Sequence, residues 1–125
     1  PDLFPDSYFG KYLDLDTKKP FGFAETAYIA EDLIVPSFTL NKKGTAAWQK
    51  KYLDLIIDIT NKRNGKFIIW FCHKDYNAGV QTLKRFGLYQ DLFALWQDTG
   101  LKDEKDGNRL AYDSWKAWYG KELSE

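Results

Sequence analysis

The distribution of apolar and polar positions predicts two strands separated by one long helix in the 125-residue chain. Phe21–Tyr28 is a short, mostly apolar run after Pro20, and it predicts a buried strand. Lys66–Cys72 is apolar without alternation, which indicates a strand buried on both faces, as in a parallel sheet covered by helices. Between them, Thr45 is expected to cap a helix that reaches about Arg63. Apolar residues recur there at helical spacing as one stripe: Trp48, Tyr52, Leu55, Ile56 and Ile59.

The remaining segments predict shorter helices and long connections. A short helix is expected from about Ser7 to Leu15, because Pro5 and Asp6 are typical of a helix start. The stretch from Ile29 to Gly44 is interpreted as a long connection, a length that is uncommon in loops unless they are functional. Two helical pieces, one polar turn and a last helix are predicted further along: Val80–Arg85, Tyr89–Leu95, Lys102–Asn108 and Ala111–Leu123.

The order of these elements predicts an α/β fold, because strands that alternate with helices form a parallel sheet. Two strands do not complete such a sheet, and they leave two unpaired edges. A (β/α)8 TIM barrel needs about 250 residues. We therefore expect residues 1–125 to form one incomplete unit: the C-terminal part of a TIM barrel, about its last two βα units plus the preceding helix. Its partner is expected to be the remaining barrel portion, or a second copy that associates through the strand edges. The alternative is a stand-alone α/β domain with an accidental likeness to barrels.

Composition and charge exclude several classes of protein. Hydrophobic residues make up 44% of the chain and aromatic residues 18%, which is typical of a folded domain. Eighteen Lys+Arg balance eighteen Asp+Glu, and this argues against a nucleic-acid partner. No apolar run approaches the roughly 20 residues that span a bilayer. The single cysteine, Cys72, allows no internal disulfide. No metal-ligand cluster or phosphate-binding glycine loop stands out, so neither a metal nor a cofactor is expected.

The candidate chemistry lies where the two predicted strands end. Glu25 is near the end of the first strand, and barrel enzymes hold their catalytic groups at that end. Its side chain is either used chemically or satisfied by a neighbouring hydrogen bond. Trp70 closes the second strand, either as a stacking surface for a sugar or as part of the core. His73 and Asp75 follow directly as a polar group, either a binding site or the start of a solvated loop. Tyr28, where the first predicted strand passes into the following loop, would form a platform with Trp70 if the chain only binds carbohydrate.

Several short segments resemble clan-A retaining glycoside hydrolases, most closely endo-galactanase-like enzymes. Phe21–Tyr28 resembles their seventh strand, and Phe67–Phe71 looks like their eighth. Three later segments are similar to the closing stretch of many such barrels: Trp96–Leu101, Asp106–Gly107 and Ala111–Trp115. The resemblance implies that Glu25 is the nucleophile and that Trp70 lies under the scissile sugar. The family's acid/base Glu, which stands on the fourth strand after an Asn, has no counterpart here.

The resemblance also implies a function for the chain. It is expected to be the C-terminal portion of a retaining glycoside hydrolase that acts on a poly- or oligosaccharide, from a secreted or cell-surface protein. Because the second carboxyl group is missing, this portion is expected to be inactive alone. The alternative is a non-catalytic carbohydrate-binding or interaction module, in which Trp70 and Tyr28 form a platform and Glu25 only accepts hydrogen bonds. About 150–250 preceding residues with an Asn-Glu at a strand end would favour the enzyme.

Overall fold

The computed structural model describes residues 7–14 and 18–121 as a small mixed α/β domain. Its α-helices are α1 (Gly10–Leu13), α2 (Ala46–Lys62), α3 (Asn77–Arg85) and α4 (Leu110–Tyr119). Its strands are β1 (Phe21–Thr26), β2 (Leu33–Val35), β3 (Leu40–Lys42) and β4 (Gly65–Trp70). Two short 3₁₀ helices cover Pro36–Phe38 and Asp91–Trp96. No helix in the described ranges has both the length and the apolar character needed to cross a bilayer.

The two strands predicted from the apolar runs are present, and they are adjacent and parallel. β1 pairs with β4, while β2 and β3 form a separate antiparallel pair. Each of the two predicted strands ends two residues earlier than the apolar run that predicted it. Helix α2 packs on one face of the β1–β4 sheet, and α4 packs against α2. The sheet is therefore layered with helices on one side.

The other side of the β1–β4 sheet is open. Ile68 and Trp70 of β4 are buried toward α2, whereas Phe67 and Ile69 are 47% and 54% exposed. The predicted burial of this strand on both faces is thus met on one face only, because no layer of the described chain covers the other. We call the surface that carries these two exposed residues the helix-free face. The ring of Phe67 lies across Gly22, where an added Cβ would be 2.5 Å from it.

Helix α2 confirms the predicted start but shifts the predicted buried stripe. The hydroxyl of Thr45 accepts a hydrogen bond from the backbone N–H of Trp48 at 3.1 Å, which caps the first turn. Trp48 and Leu55, placed on the stripe by their spacing, are only half-buried. The fully covered positions include two polar residues: Gln49, Tyr52, Leu53, Ile56, Ile59 and Thr60. Three of the five predicted stripe residues are therefore buried, Tyr52, Ile56 and Ile59, and the polar Gln49 and Thr60 are buried beside them.

The stretch 29–44, interpreted from the sequence as a long connection, contains the β2–β3 hairpin. Leu33 and Val35 are buried while Ile34 between them is exposed, so the strand alternation was hidden by three consecutive apolar residues. The hairpin is tied to the 3₁₀ helix at Asp91–Trp96. The backbone N–H and the hydroxyl of Ser37 each donate to the Asp91 carboxylate at 2.7 Å.

The shorter helices differ from their predicted bounds. α1 covers only Gly10–Leu13 of the predicted Ser7–Leu15 helix, while its predicted last residue, Leu15, and the start signals Pro5 and Asp6 lie outside the described residues. α3 begins three residues before the predicted Val80, and a 3₁₀ helix at Asp91–Trp96 replaces the α-helical piece predicted from Tyr89. α4 ends at Tyr119, and the predicted end at Leu123 is likewise outside the described residues.

The polar segment Lys102–Asn108 is a turn, as predicted. Its closing group is the Asp103 carboxylate, which accepts hydrogen bonds from the backbone N–H groups of Lys105 and Gly107 at 2.9 and 2.8 Å. The side chain is thereby satisfied by its own turn, in the manner of an Asx turn. This segment brings the chain back to α4.

Candidate functional site

A β-bulge near the end of β1 sets the position of Glu25. Phe23 pairs with Ile68, and three residues later Thr26 pairs with Trp70. Two residues of β1, the second of which is Glu25, therefore lie opposite a single residue of β4. An extra residue of this kind locally re-aims the strand, and bulges are common next to active sites.

The bulge keeps Glu25 away from the helices. Without the extra residue, Glu25 would align with Trp70 and its side chain would point toward α2. With it, the following residue Thr26 takes that place and is buried, while Glu25 is exposed. Within the described residues, Glu25 has no ion-pair partner. The carboxylate is thus at the carboxyl end of a parallel strand and accessible to solvent.

Trp70 lies on the helix-covered face of the sheet. Its ring packs against Tyr52 of α2 with centroids 6.2 Å apart, and its Nε1–H donates to the carbonyl of Thr99 at 3.0 Å. Tyr52 in turn is hydrogen bonded to the hydroxyl of Thr26 at 2.7 Å. Only 8% of Trp70 is exposed, so in the described chain its ring presents no free face to a sugar. The structure does not bring Glu25 and Trp70 together.

Tyr28 belongs to the same buried aromatic group as Trp70. Its ring is 5.2 Å from that of Tyr52, and the ammonium of Lys42 lies 5.1 Å above it. These side chains border a pocket of about 200 Å³ next to α2. Small-molecule sites usually have about 300 Å³ or more. Tyr28 therefore acts here mainly as packing behind the end of β1.

His73 and Asp75, predicted as neighbours in one polar group, have different environments. His73 is exposed in the loop after β4, and its backbone carbonyl accepts from the N–H of Lys102 at 2.9 Å. The Asp75 side chain is completely buried. Its Oδ1 accepts from the backbone N–H of Gly100 at 2.7 Å, and its Oδ2 accepts from Arg109. An added Cβ at Gly100 would be 2.4 Å from the Asp75 nitrogen, so only glycine fits this approach.

Arg109 connects the loops that follow the two parallel strands. Its Nη2 donates to Asp75, five residues after β4, and to Glu31 Oε1 at 2.9 Å, five residues after β1. We call these three residues together with Asp98 the Arg109 cluster. Burial raises the pKa of the Asp75 carboxyl, although the hydrogen bonds from Arg109 and Gly100 oppose that rise. Burial alone would lower the pKa of Arg109, but its two carboxylate partners outweigh it and the net shift is upward.

Asp75 and Glu31 offer a direct comparison of a buried and an exposed partner of one guanidinium. The Glu31 side chain is 56% exposed, whereas that of Asp75 is not exposed at all. We expect Asp75→Asn to lower the free energy of unfolding by about 2 kcal/mol, since it leaves Arg109 partly uncompensated in a buried site. Glu31→Gln is expected to cost less than about 1 kcal/mol. Urea unfolding of both variants measures the difference, and equal losses would contradict this assignment.

Asp98 adds a third carboxyl to the Arg109 cluster. Burial and, to a smaller extent, the negative charges of Glu31 and Asp75 together raise its pKa to about 6, against the attraction of Arg109. Its Oδ1 is buried and accepts no hydrogen bond from the described residues. Its backbone carbonyl accepts from the N–H of Ala30 at 2.8 Å, which ties the loop after β1 to the segment before Gly100. The carboxyl group is therefore held where its charged form is disfavoured.

The raised pKa of Asp98 predicts a pH dependence of stability. The folded protein binds this proton more tightly than the unfolded chain, whose carboxyl titrates near 3.8. The contribution of Asp98 is therefore most favourable at low pH and is lost as the pH rises through about 6. We expect the effect of Asp98→Asn on the free energy of unfolding to be about 1–2 kcal/mol more favourable at pH 8 than at pH 4. Partial exposure of the carboxyl group to solvent keeps this difference small. Urea unfolding from pH 4 to pH 8 tests this, and a pH-independent difference would contradict it.

Gln49, a residue of helix α2, connects this helix to the same loops. Its side chain is fully buried, and Nε2 donates to the backbone carbonyls of Tyr28, Thr99 and Gly100 at 3.2, 3.2 and 2.9 Å. The first carbonyl follows β1, and the other two belong to the segment that also receives Trp70 Nε1 and Asp75. One amide group thereby fixes the spacing between the post-strand loops.

The sequence did not single out Gln49, Glu31, Asp98 or Arg109. Gln49 could have been found from the sequence. It is a polar residue that stands four and seven positions before the apolar Leu53 and Ile56, on the same face of the helix. The other three are ordinary charged residues in loops. They come together only in the folded chain, where Glu31 and Arg109 are 78 positions apart in sequence. In the described part of the chain, no group of three His, Cys, Asp or Glu side chains is arranged to hold a metal ion.

Scans of the chain against protein-family models, curated proteins and solved structures found no match in any of the three. The likeness of segments 21–28 and 67–71 to clan-A glycosidases therefore stays an expectation. The structure shows two further features of the site: Glu25 is exposed near the end of β1, and the loops at the carboxyl ends of β1 and β4 are held by hydrogen bonds.

Proposed function

We propose that this chain is the C-terminal part of a retaining glycoside hydrolase with a (β/α)8 barrel, and that Glu25 is its nucleophile. The observation that carries the proposal is the bulge of β1. It shifts the register so that Thr26, and not Glu25, lies opposite Trp70, and Glu25 is exposed at the end of a parallel strand. That end of the strands is where barrel enzymes hold their reacting groups.

The open side of the sheet supports the barrel assignment. In a barrel, the face opposite the helices is the interior, and it is filled by large apolar side chains from all the strands. Phe67 and Ile69 are such side chains, and in the described chain nothing covers them. The outer edges of β1 and β4 also have no strand partner among the described residues. Further parallel strands would satisfy both the apolar surface and the edges.

The proposed reaction proceeds through a covalent glycosyl-enzyme. An oxygen of the Glu25 carboxylate attacks the anomeric carbon, and the bond from that carbon to the leaving oxygen breaks. A second carboxyl group protonates the leaving oxygen, and then deprotonates the water that hydrolyses the intermediate. The two carboxyl groups stand about 5–5.5 Å apart in retaining enzymes. This second group is to be supplied by another part of the barrel, so residues 1–125 are inactive alone.

The test is to trap the covalent intermediate. The protein encoded by the complete reading frame is incubated with 2-deoxy-2-fluoro glycosyl fluorides of galactose, glucose, mannose and xylose, which form the intermediate but hydrolyse slowly. Peptide mass spectrometry is expected to locate one fluorosugar on Glu25. A label on a different carboxylate, or no label with any of the four sugars, overturns the proposal. Carbohydrate binding without a label at Glu25 would instead support the non-catalytic module.

A further inference from the structure

An exposed pair of stacked aromatic rings lies directly after β4. The rings of Phe71 and Tyr76 are 5.7 Å apart and nearly parallel, at an angle of 11°. Phe71 is half-buried, and Tyr76 in front of it is 47% exposed. An exposed flat ring backed by a second ring is a broad apolar surface at an edge otherwise rich in polar groups.

The pair lies beside the carboxyl end of β1. The backbone N–H of Phe71 donates to the carbonyl of Thr26 at 2.9 Å, which places Phe71 beside the residue that follows Glu25. Because β4 ends at Trp70, the pair comes directly after that strand, at the same edge of the sheet as Glu25.

The backbone under Tyr76 is held in place from several directions. Its N–H donates to the carbonyl of Gln97 at 3.1 Å, and the N–H of Asp75 donates to the carbonyl of Lys102 at 3.0 Å. The Asp75 side chain is fixed by Gly100 and Arg109, as described above. Tyr76 is thus an exposed ring on an ordered backbone, and little freedom is lost when a ligand packs on it.

We propose that Phe71 and Tyr76 form the surface on which a carbohydrate ring packs, with Tyr76 making the contact and Phe71 supporting it. The flat, electron-rich face of an aromatic ring attracts the C–H face of a neutral pyranose, and the Tyr hydroxyl offers a hydrogen bond to a sugar hydroxyl. This inference rests on the proposed function for the class of ligand. It assigns the stacking role to this pair, because the ring of Trp70 is enclosed between β4 and α2.

The chain supplies a matched control in Tyr119. This residue of α4 is 77% exposed, and its ring stacks on Trp115 at 6.4 Å and 18°. It therefore has the same chemistry and a similar aromatic backing. α4 packs against α2 and the core on the helix-covered side of the sheet. If exposed stacked tyrosines had only a structural role, Tyr76→Ala and Tyr119→Ala would change Kd to a similar extent.

The experiment is calorimetric titration of the protein encoded by the complete reading frame with β-1,4-linked tetrasaccharides of galactose, glucose, mannose and xylose. Every protein compared, wild type at the other positions or variant, also carries Glu25→Gln, so that the sugar is bound without being hydrolysed. For the tetrasaccharide that binds best, we expect Tyr76→Ala to raise Kd about 5- to 10-fold, while Tyr76→Phe stays within about threefold. Tyr119→Ala is expected to leave Kd unchanged. Melting temperatures of all variants are measured in parallel. Tyr76→Ala is expected to raise Kd without lowering Tm more than Tyr119→Ala does.

Equal affinities of Tyr76→Ala and wild type would overturn the assignment, and so would the absence of binding to all four tetrasaccharides. An affinity loss of the same size in Tyr119→Ala would also overturn it. Failure of the proposed nucleophile is distinguishable from these results. If Glu25 takes no covalent label but binding still depends on Tyr76, the stacking surface stands and the catalytic role of Glu25 does not.

Discussion

Glu25→Gln is expected to lower kcat of the complete enzyme by more than about a thousandfold, because an amide oxygen is a poor nucleophile toward the anomeric carbon. The substitution is nearly isosteric, and the Glu25 side chain is exposed and unpaired among the described residues. The melting temperature is therefore expected to stay within about 2 °C of wild type. Initial rates on an activated aryl glycoside, with Tm measured in parallel, give both quantities.

The matched control for Glu25 is Glu104→Gln, which removes an exposed carboxylate from the turn that precedes α4. Its kcat is expected to equal that of wild type. In Glu25→Ala, added azide is expected to restore product formation by attacking the anomeric carbon in the space left by the carboxylate. The product would be a glycosyl azide of inverted configuration. Turnover of Glu25→Gln near the wild-type rate would falsify the nucleophile assignment.

Trp70→Ala is expected to lower the free energy of unfolding by about 3–5 kcal/mol, the largest stability loss that we predict. The substitution empties the space between β4 and Tyr52, and it removes the hydrogen bond from Nε1 to Thr99. Trp96→Ala, at a ring that is 36% exposed, is expected to cost about 1 kcal/mol. Urea unfolding followed by circular dichroism compares the two variants.

Trp70→Phe separates a core role from a sugar-binding role. It keeps an aromatic ring against Tyr52 and loses one hydrogen bond, so a loss of about 1–2 kcal/mol in stability is expected. The Kd for the best tetrasaccharide is expected to be unchanged. A weaker Kd at unaltered stability would show that Trp70 contacts the sugar, contrary to its burial behind the sheet.

The elements that the sequence predicted correctly are those whose signals are local. Two apolar runs predicted β1 and β4, and Thr45 predicted the first turn of α2 through a hydrogen bond that reaches only three residues. These features depend on side chains a few positions apart, so they survive any arrangement of the rest of the chain. The parallel pairing followed from the order of elements, since a helix between two strands brings them side by side in the same direction.

The β2–β3 hairpin could not be predicted in the same way. Its strands are three residues each, and Leu33–Val35 is apolar throughout, so no alternation marks the buried face. What fixes the hairpin is tertiary contact: Leu33 and Val35 are buried in the core, and Ser37 donates to Asp91, 54 positions away. A short strand of this kind is set by tertiary packing, because its own propensity is too weak.

For the candidate site, the sequence alone determined which residue types stand at the strand ends: a glutamate, aromatic residues and a polar group. Only the tertiary structure decided which way each one faces. A single extra residue in β1 places Thr26, and not Glu25, opposite Trp70, and no apolar pattern reveals an insertion of one residue. Likewise, Asp75 is a buried partner of Arg109 because the chain returns to it 34 positions later. The direction and the burial of a side chain depend on such distant contacts. The type of residue at a strand end, in contrast, is given directly by the sequence.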